Sequence, residues 1–594
     1  MTRSLHKKYG LGYGFQILTR PAPELRLPGK ESVLARRIVI IGGVACGLKA
    51  ASRARRLDGE ADITVIEQGK SVSWAACGMP YVVSGHIKQM ADLVQRTPAF
   101  FEQVKGLHML TGCRATAIDR ERHLVRYQAV DKPTEGEQEV PYDKLVLATG
   151  ARAAMLPLPG AELPGVFRLK ELADAEAILA ALPHARRAAI IGTGPIGLEM
   201  AEAFRERGLE VTLFEVREHV LPGLLDFEMA RLLERHLTAK GVELRCGAKL
   251  SAFEGKDKLE RVVGEAGSVA ADIALVAAGV RPNVELAREA GLAVGETGAI
   301  KVDEHLRTSD PDIYAGGDCA ESRHLITGRA VFIPLGSTAN KHGRVIGDNL
   351  CGGRATFPGV LGTGLMKVFD YTAGRTGLTL EAATRLGYDA VSALAPAPDH
   401  AQYSGGAQAF AVKLIAERPT GRLLGAQFVG PGDVARRLDT TVAAISFGGT
   451  AEQLASLDLG YSPPYASAMD VLIQAANTLR NTLAGLVPVL SPQELYRRMN
   501  SADPPLVIDV RNKPEQEKAR LGVGEVVELP LPNLRKGLKK LPRDRELVTM
   551  CWAGLRAYEA ALILKRAGFA RVSYLDGSLF TWPYELAEDT PDWR

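Results

Sequence analysis

The stretch AAIIGTGPIGLEMAEAFRERGLEVTLFE, residues 188–215, decides the fold. Ala188 to Gly192 is an apolar run of the kind that suits a strand buried on both faces of a parallel sheet. Ile196 to Arg207 reads as a helix and Glu210 to Glu215 as the next strand. Between the first strand and the helix stands Gly192-Thr193-Gly194-Pro195-Ile196-Gly197, a complete G-x-G-x-x-G. Its first glycine permits a tight turn, its second lets a pyrophosphate approach the backbone, and its third allows close helix–strand packing. The helix then points its free N–H groups and positive dipole end at the phosphates. Glu215 ends the second strand, where a carboxylate accepts from adenine-ribose hydroxyls. That favours NADH over NADPH, although Arg217 close by is able to accommodate a 2′-phosphate.

A second βαβ pattern lies upstream. Arg36 to Gly43 is a strand, Leu48 to Leu57 a helix and Asp62 to Glu67 another strand. Its turn, Gly42-Gly43-Val44-Ala45-Cys46-Gly47, has Val44 in the middle glycine position, and Glu67 supplies the ribose partner. Two such units imply two dinucleotide sites. Further strand-plus-turn signals are Leu145 to Gly150, Ile273 to Gly279 and Ile313 to Asp318. Pro- and Gly-bearing stretches near residues 157–160, 352–364 and 486–492 mark boundaries.

At 594 residues the chain exceeds one hydrophobic core. With 46% hydrophobic and 24% charged residues it has an ordinary globular composition. A formal charge of +4 argues for no nucleic-acid or membrane partner. Seven cysteines without a C-x-x-C pair make a poor disulfide framework and suit a reducing cytoplasm. No metal site is expected, and no apolar run approaches the length of a membrane helix. Residues 1–36 are basic, lack a signal-peptide pattern, and read as an N-terminal extension with no assigned function.

From about Arg37 to Gly485 the chain resembles the pyridine-nucleotide-disulfide oxidoreductase family. The resemblance implies an α/β protein with two Rossmann-like dinucleotide-binding domains, for FAD and NAD, and an α+β dimerisation domain. The FAD domain would be split, at residues 37–155 and 280–355, around an NAD(P)H domain at 156–279. The interface domain at 356–486 would make a homodimer. On this resemblance Gly42, Gly43, Val44, Ala45, Gly47, Glu67, Ala148, Thr149, Gly150, Gly316, Asp318 and Ala339 would hold FAD. Gly192, Gly194, Pro195, Ile196, Gly197 and Glu215 would hold NADH.

The frame Ser73-Trp74-Ala75-Ala76-Cys77-Gly78-Met79-Pro80-Tyr81 has one cysteine where glutathione-reductase-like members need two. It resembles the single-cysteine branch of coenzyme A disulfide reductases, NADH-dependent persulfide reductases, and NADH oxidases and peroxidases. A lone Cys77 there cycles through a mixed disulfide or a sulfenic acid, and should be an acidic thiol beside the flavin. Lys49, Arg53 and Arg56 are spaced i, i+4 and i+7, which puts three cations on one helical face. With Ser73 and Lys105 they resemble the contacts of coenzyme A disulfide reductases to the coenzyme A phosphates. Tyr403 and Tyr461 match tyrosines that the family brings from the partner subunit toward the active sulfur. Ala76, where many relatives have asparagine, and Met469, where a lysine is common, depart from the pattern.

Residues 491–594 resemble a single α/β rhodanese domain. Leu506 to Arg511 is its strand with an Asp–Arg pair, and Leu547 to Met550 runs into Cys551-Trp552-Ala553-Gly554-Leu555-Arg556. Successive N–H groups of such a loop, with Arg556, favour a thiolate or persulfide anion. The C-x4-R spacing fits a loop for one sulfur, where related phosphatases use C-x5-R. The expectation is an NADH-dependent reductase of coenzyme A persulfide, polysulfide or disulfide working through Cys77, with Cys551 carrying sulfane sulfur. An NADH oxidase or peroxidase and a non-catalytic redox sensor are the rivals. Which thiol persulfide or disulfide serves as substrate stays open.

Overall fold

The computed structural model describes residues 37–587 apart from 133, 135 and 266. The extension read over 1–36 lies outside the described residues. In chain order the first sheet begins with β1 (Arg37–Ile41), helix α1 (Cys46–Leu57), β2 (Asp62–Glu67), the short helix α2 (Met79–Ser84), β3 (His108–Thr111) and β4 (Lys144–Leu147). Four of the five residues of β1 are buried, as a strand covered on both faces requires. The chain then leaves for a second sheet, made with β5 (Val166–Phe167), α3 (Leu172–Ala181), β6 (Arg187–Ile191), α4 (Pro195–Glu206), β7 (Glu210–Glu215), α5 (Phe227–Ala239), β8 (Val242–Cys246) and β9 (Ile273–Val276). It returns at β10 (Ile313–Ala315), which pairs in parallel with β4, Ile313 opposite Leu145. Helix α6 (Gly336–Leu350) follows and packs along α1.

Both sheets are parallel throughout, in the orders β10-β4-β1-β2-β3 and β8-β7-β6-β9-β5. Each first strand ends in a glycine that nothing else can replace. Gly42 sits at φ +113°, and a Cβ there would lie 2.1 Å from the Ala148 carbonyl oxygen. Gly192 sits at φ +104°, and its Cβ would lie 2.5 Å from the Ala277 oxygen. Helix α1 starts at Cys46, two residues earlier than the apolar pattern announced, because the turn itself supplies the first helical residues.

The third sheet is antiparallel: β11 (Gly364–Val368), β12 (Tyr371–Gly377), β13 (Ala390–Pro398), β14 (Ala409–Glu417) and β15 (Leu423–Gly430), in the order β11-β12-β15-β14-β13. Helices α7 (Val434–Ser446) and α8 (Val471–Ala484) pack on it. The last sheet is parallel again. It uses β16 (Val489–Leu490), β17 (Leu506–Asp509), α9 (Lys513–Lys518), β18 (Val526–Glu528), β19 (Leu547–Met550), α10 (Leu555–Arg566) and β20 (Val572–Leu575), in the order β16-β20-β19-β17-β18.

This final module is docked on the others by buried polar contacts. Asp576, just past β20, accepts from the Leu394 N–H of β13 at 2.9 Å. Gln493 donates to Glu228 of α5 at 2.9 Å, and the Tyr584 ring lies 6.0 Å from that of Phe227. Phe580 packs against the core of the second nucleotide sheet. Among the described residues, no helix is long and apolar enough to cross a membrane.

Candidate functional site

The two glycine turns are closed by carboxylates. In the first, Glu67 accepts from the Gly43 N–H (2.6 Å) and the Gly69 N–H (2.8 Å), and burial raises its pKa. In the second, the buried Glu215 accepts from the Thr193 hydroxyl (2.6 Å), the Thr193 N–H (3.2 Å) and the Arg217 N–H (3.0 Å). The carboxylate thus shapes the turn as well as standing at the strand end. Space for a pyrophosphate is visible at Gly194, where an added Cβ would meet nothing within 4 Å. Pro195 and Ile196, the first residues of α4, are exposed at that helix N-terminus. A Cβ on Gly197, by contrast, would collide with the Gly192 oxygen at 2.0 Å, and one on Gly47 with the Gly42 oxygen at 2.0 Å. Val44 is not a positive-φ residue, so the first turn carries a side chain there without strain.

The remaining residues read for a flavin gather at the same end of the first sheet. The Ala148 N–H donates to the Ile41 oxygen at 2.8 Å, beside Gly42. Thr149 exchanges hydrogen bonds with Asn283, its hydroxyl donating at 2.7 Å and its carbonyl accepting at 2.8 Å, and Gly150 accepts from the Asn283 N–H. The Gly316 N–H bonds the Leu147 oxygen at 3.0 Å, which places Asp318 just beyond β10. Ala339 is buried in the first turn of α6. His342, on the same helix, escaped sequence reading. It is wholly buried, accepts from the Gly317 N–H at 3.2 Å, and burial lowers its pKa to about 4. A neutral imidazole therefore fixes the Asp318 turn.

Cys77 lies in a short turn just before α2, and its segment is tied directly to the first glycine turn. The Ser73 N–H donates to the Gly43 oxygen (3.0 Å), the Gln95 N–H to the Ser73 oxygen (2.9 Å), and Ser73 itself sits at φ +50°. Three charged groups from distant segments face the exposed thiol: Glu199 of α4, Asp318, and Lys170, which pairs with Asp318 at 3.4 Å. Burial, Glu199 and Asp318 raise the Cys77 pKa, and Lys170 lowers it. The acidic thiol expected from sequence is thus not made by this protein's side chains, whose net effect is the opposite. Glu199 is itself raised to about 7, by burial and by Glu202 one helical turn on. Neither Lys170 nor Glu199 stands out in sequence, since both belong to the inserted sheet and reach Cys77 only through folding.

The basic face of α1 is partly covered by α6. Arg53 is bound to Asp348 of α6 (2.5 Å), with both side chains largely covered, and a Cβ on Gly347 would lie 2.6 Å from its own Cβ. Lys49 is half-buried on the same seam, against Gly343, whereas Arg56 is exposed. The three cations are therefore not one solvated row, because α6 covers part of the helix face. Lys105 ends the helix Pro98–Lys105, its Nζ 5.8 Å from the Phe100 ring centroid. Arg55, not singled out before, ties that helix to α1 through the Lys105 oxygen at 3.1 Å. Tyr403 and Tyr461 are exposed, and the nearness of Tyr461 raises the Tyr403 pKa. Their loops are pinned together by Ser404, which donates to the Pro463 oxygen at 3.1 Å.

The second cysteine occupies a closed loop. Cys551 directly follows β19 and is 1% exposed. Its N–H donates to Ser578 Oγ (3.1 Å), and the Gly554 N–H points at its Sγ (3.1 Å), which the backbone at Gly554, φ +105°, permits. Arg556 lies close enough to Cys551 to be influenced by it, and forks onto Glu515 at 2.6 and 2.7 Å. The buried Arg511, paired with Asp509 at 2.7 Å, also donates to the Glu515 and Ala519 carbonyls and so holds the helix that carries Glu515. Helix α10 begins at Leu555, so the loop feeds straight into its N-terminus.

Three family descriptions match the chain: pyridine nucleotide-disulphide oxidoreductase over residues 36–343, the dimerisation domain of that family over 365–473, and a rhodanese-like domain over 491–584. An NAD(P)H sulfur oxidoreductase (CoA-dependent) of Pyrococcus furiosus is 39% identical over 447 residues, 75% of this chain and 99% of the relative. The structure of an NAD-dependent persulfide reductase from A. fulgidus superposes with a TM-score of 0.87 at 44% identity, over 92% of this chain and 100% of that one. Reduced Bacillus anthracis CoADR-RHD gives 0.88 at 34% identity, over 92% and 98%.

Proposed function

Given that the chain belongs to the pyridine nucleotide-disulphide oxidoreductase family and carries a rhodanese-like domain, we propose that it reduces coenzyme A persulfide, polysulfide or disulfide with NADH. The observation that carries this reading is the pairing in one chain of a single exposed cysteine at the nucleotide turns, Cys77, with a buried sulfur-loop cysteine, Cys551. An oxidase cycling Cys77 through sulfenic acid would have no use for the second. FAD, held by the Gly42–Gly47 turn, Glu67, Thr149 and Asp318, supplies hydride acceptance from NADH and electron delivery to sulfur. NADH is held at the Gly192–Gly197 turn with Glu215.

The chain's own residues then do three things. Cys77 forms the mixed disulfide with the departing thiol's partner sulfur. Lys170 offsets the negative field of Glu199 and Asp318 when the thiolate reforms. Tyr403 and Tyr461, presented together on the interface domain, donate to the leaving thiolate of the partner subunit of a homodimer. Lys49, Arg56 and Lys105 are the cations left for coenzyme A phosphates. Non-reducing mass spectrometry tests the substrate: the purified protein should carry a coenzyme A adduct on Cys77 that dithiothreitol removes. An adduct with another thiol, or on another cysteine, would reassign the substrate or the nucleophile.

The charge at Glu199 makes a further test. Below about pH 7 the side chain is protonated, and above it the carboxylate opposes the Cys77 thiolate. Glu199→Gln removes that opposition, so alkylation of Cys77 by iodoacetamide at pH 8 should accelerate about threefold or more. At pH 6, where wild-type Glu199 is already neutral, the two rates should converge. Equal rates at both pH values would show that Glu199 does not govern the thiol.

A further inference from the structure

The rhodanese-type loop holds a cation that is already neutralised. Arg556 is the one charged side chain of the loop Cys551-Trp552-Ala553-Gly554-Leu555-Arg556. Its guanidinium lies near Cys551, yet both terminal nitrogens are bound to the two oxygens of Glu515 at 2.6 and 2.7 Å. Glu515 does not give way easily. It sits in the capping box of α9, accepts from the Asn512 N–H at 3.1 Å, and Arg556 lowers its pKa. The other ion pair behind the loop, Arg511 with Asp509, is buried and balanced. Two apolar side chains belong to the same loop: Trp552 lies edge-on to Phe580 at 5.9 Å, and Leu555 is 78% exposed.

A sulfur donor with a dianionic end, such as thiosulfate, would need an uncompensated cation here, and none of these loop residues supplies one. The sulfur end of an organic persulfide brings at most one charge, which the Gly554 N–H and the shared guanidinium satisfy, while the carbon atoms next to it lie against Trp552 and Leu555. We infer that Glu515, by holding Arg556, makes Cys551 selective for organic sulfur donors whose sulfur end is singly charged and excludes thiosulfate. This rests on reading Cys551 as a sulfur carrier. In the step itself the Cys551 thiolate attacks the terminal sulfur of R–S–SH. An Sγ–S bond forms, the S–S bond of the donor breaks, its electron pair leaves on R–S⁻, and the proton stays on the transferred sulfur. The exchange is redox-neutral and needs no other reactant.

The test compares thiosulfate with methanethiosulfonate, which carries the same transferable sulfur with one charge fewer, using the full-length protein and cyanide as acceptor. Wild type should favour methanethiosulfonate by about tenfold or more in kcat/KM, and Glu515→Gln, which keeps a capping side chain, should narrow that ratio by about tenfold. A wild type that prefers thiosulfate overturns the inference without any variant. An unchanged ratio in a folded Glu515→Gln protein overturns it as well. Cys551→Ser separates the two levels: thiocyanate formation that survives it removes the sulfur-carrier reading and the inference together, whereas its loss leaves the ratios to judge the charge argument alone.

Discussion

Cys77→Ser should lower NADH-driven reduction of coenzyme A persulfide or disulfide by at least about 10³-fold, the scale seen when a nucleophile is deleted from an otherwise intact site. The serine hydroxyl is nearly isosteric and stays un-ionised at neutral pH, so no sulfur exchange can start on it. The fold has little reason to respond. Cys77 is exposed, its turn is held by backbone bonds such as the Ala75 N–H to the Leu93 oxygen at 2.9 Å, and no neighbour depends on its sulfur for packing. The nucleotide turns at Gly42–Gly47 and Gly192–Gly197 do not involve it. Flavin content should therefore match wild type, and NADH should still bleach the flavin absorbance in the stopped-flow spectrometer. Turnover at more than a few per cent of wild type would take the redox role away from Cys77. Loss of flavin along with activity would instead make it a structural residue.

Features held in contiguous residues were readable in advance, and those assembled across the chain were not. The two glycine turns announce themselves because strand, turn and helix follow within about a dozen residues, and each needs a positive φ at its first glycine. The Cys551 loop is legible for the same reason, although Glu515, which decides the charge of that loop, lies 41 positions from Arg556. The Cys77 surroundings show the limit. Cys77 itself was clear from its frame, but Lys170 and Glu199 come from the inserted sheet, and the helical spacing of Glu199 and Glu202 looks like any solvated face. The same limit applies at α1. A period of four placed Lys49 and Arg53 on one face, but only the packing of α6, some 295 positions on, shows that Arg53 answers to Asp348. Periodicity reports which residues share a face and is silent on what covers it.

Lys413→Met should be the most damaging single change in the scaffold. Lys413 of β14 is 2% exposed and lies 2.8 Å from Asp226 and 2.5 Å from Glu228, at the start of α5. Those carboxylates hold the three modules together. Asp226 accepts from the Leu380 and Glu381 N–H groups and from Gln427, and Glu228 accepts from Gln493 at the entry to the last module. Burial pushes the pKa of Asp226 up, and Lys413, with the Leu380 N–H and Gln427, more than reverses that, leaving it below its ordinary value. Nearby Asp576, which anchors the last module to β13, is raised to about 7 by burial even with Lys413 pulling it down. Methionine fills the volume and removes the cation, leaving the carboxylates buried and uncompensated, at a cost of about 3–5 kcal/mol. The pH dependence fixes the mechanism. In wild type, Asp226 is depressed and stabilises the fold above its unfolded pKa. In the variant its folded pKa rises above the unfolded value, so stability is lost as pH increases through it. The difference in melting temperature between variant and wild type should therefore be smaller near pH 5 than near pH 8. Undocking should also expose residues 486–491 to limited proteolysis. Adding Asp226→Asn to the variant should recover part of the loss, because it removes one of the stranded charges. A pH-independent loss would mean that Lys413 acts by packing alone.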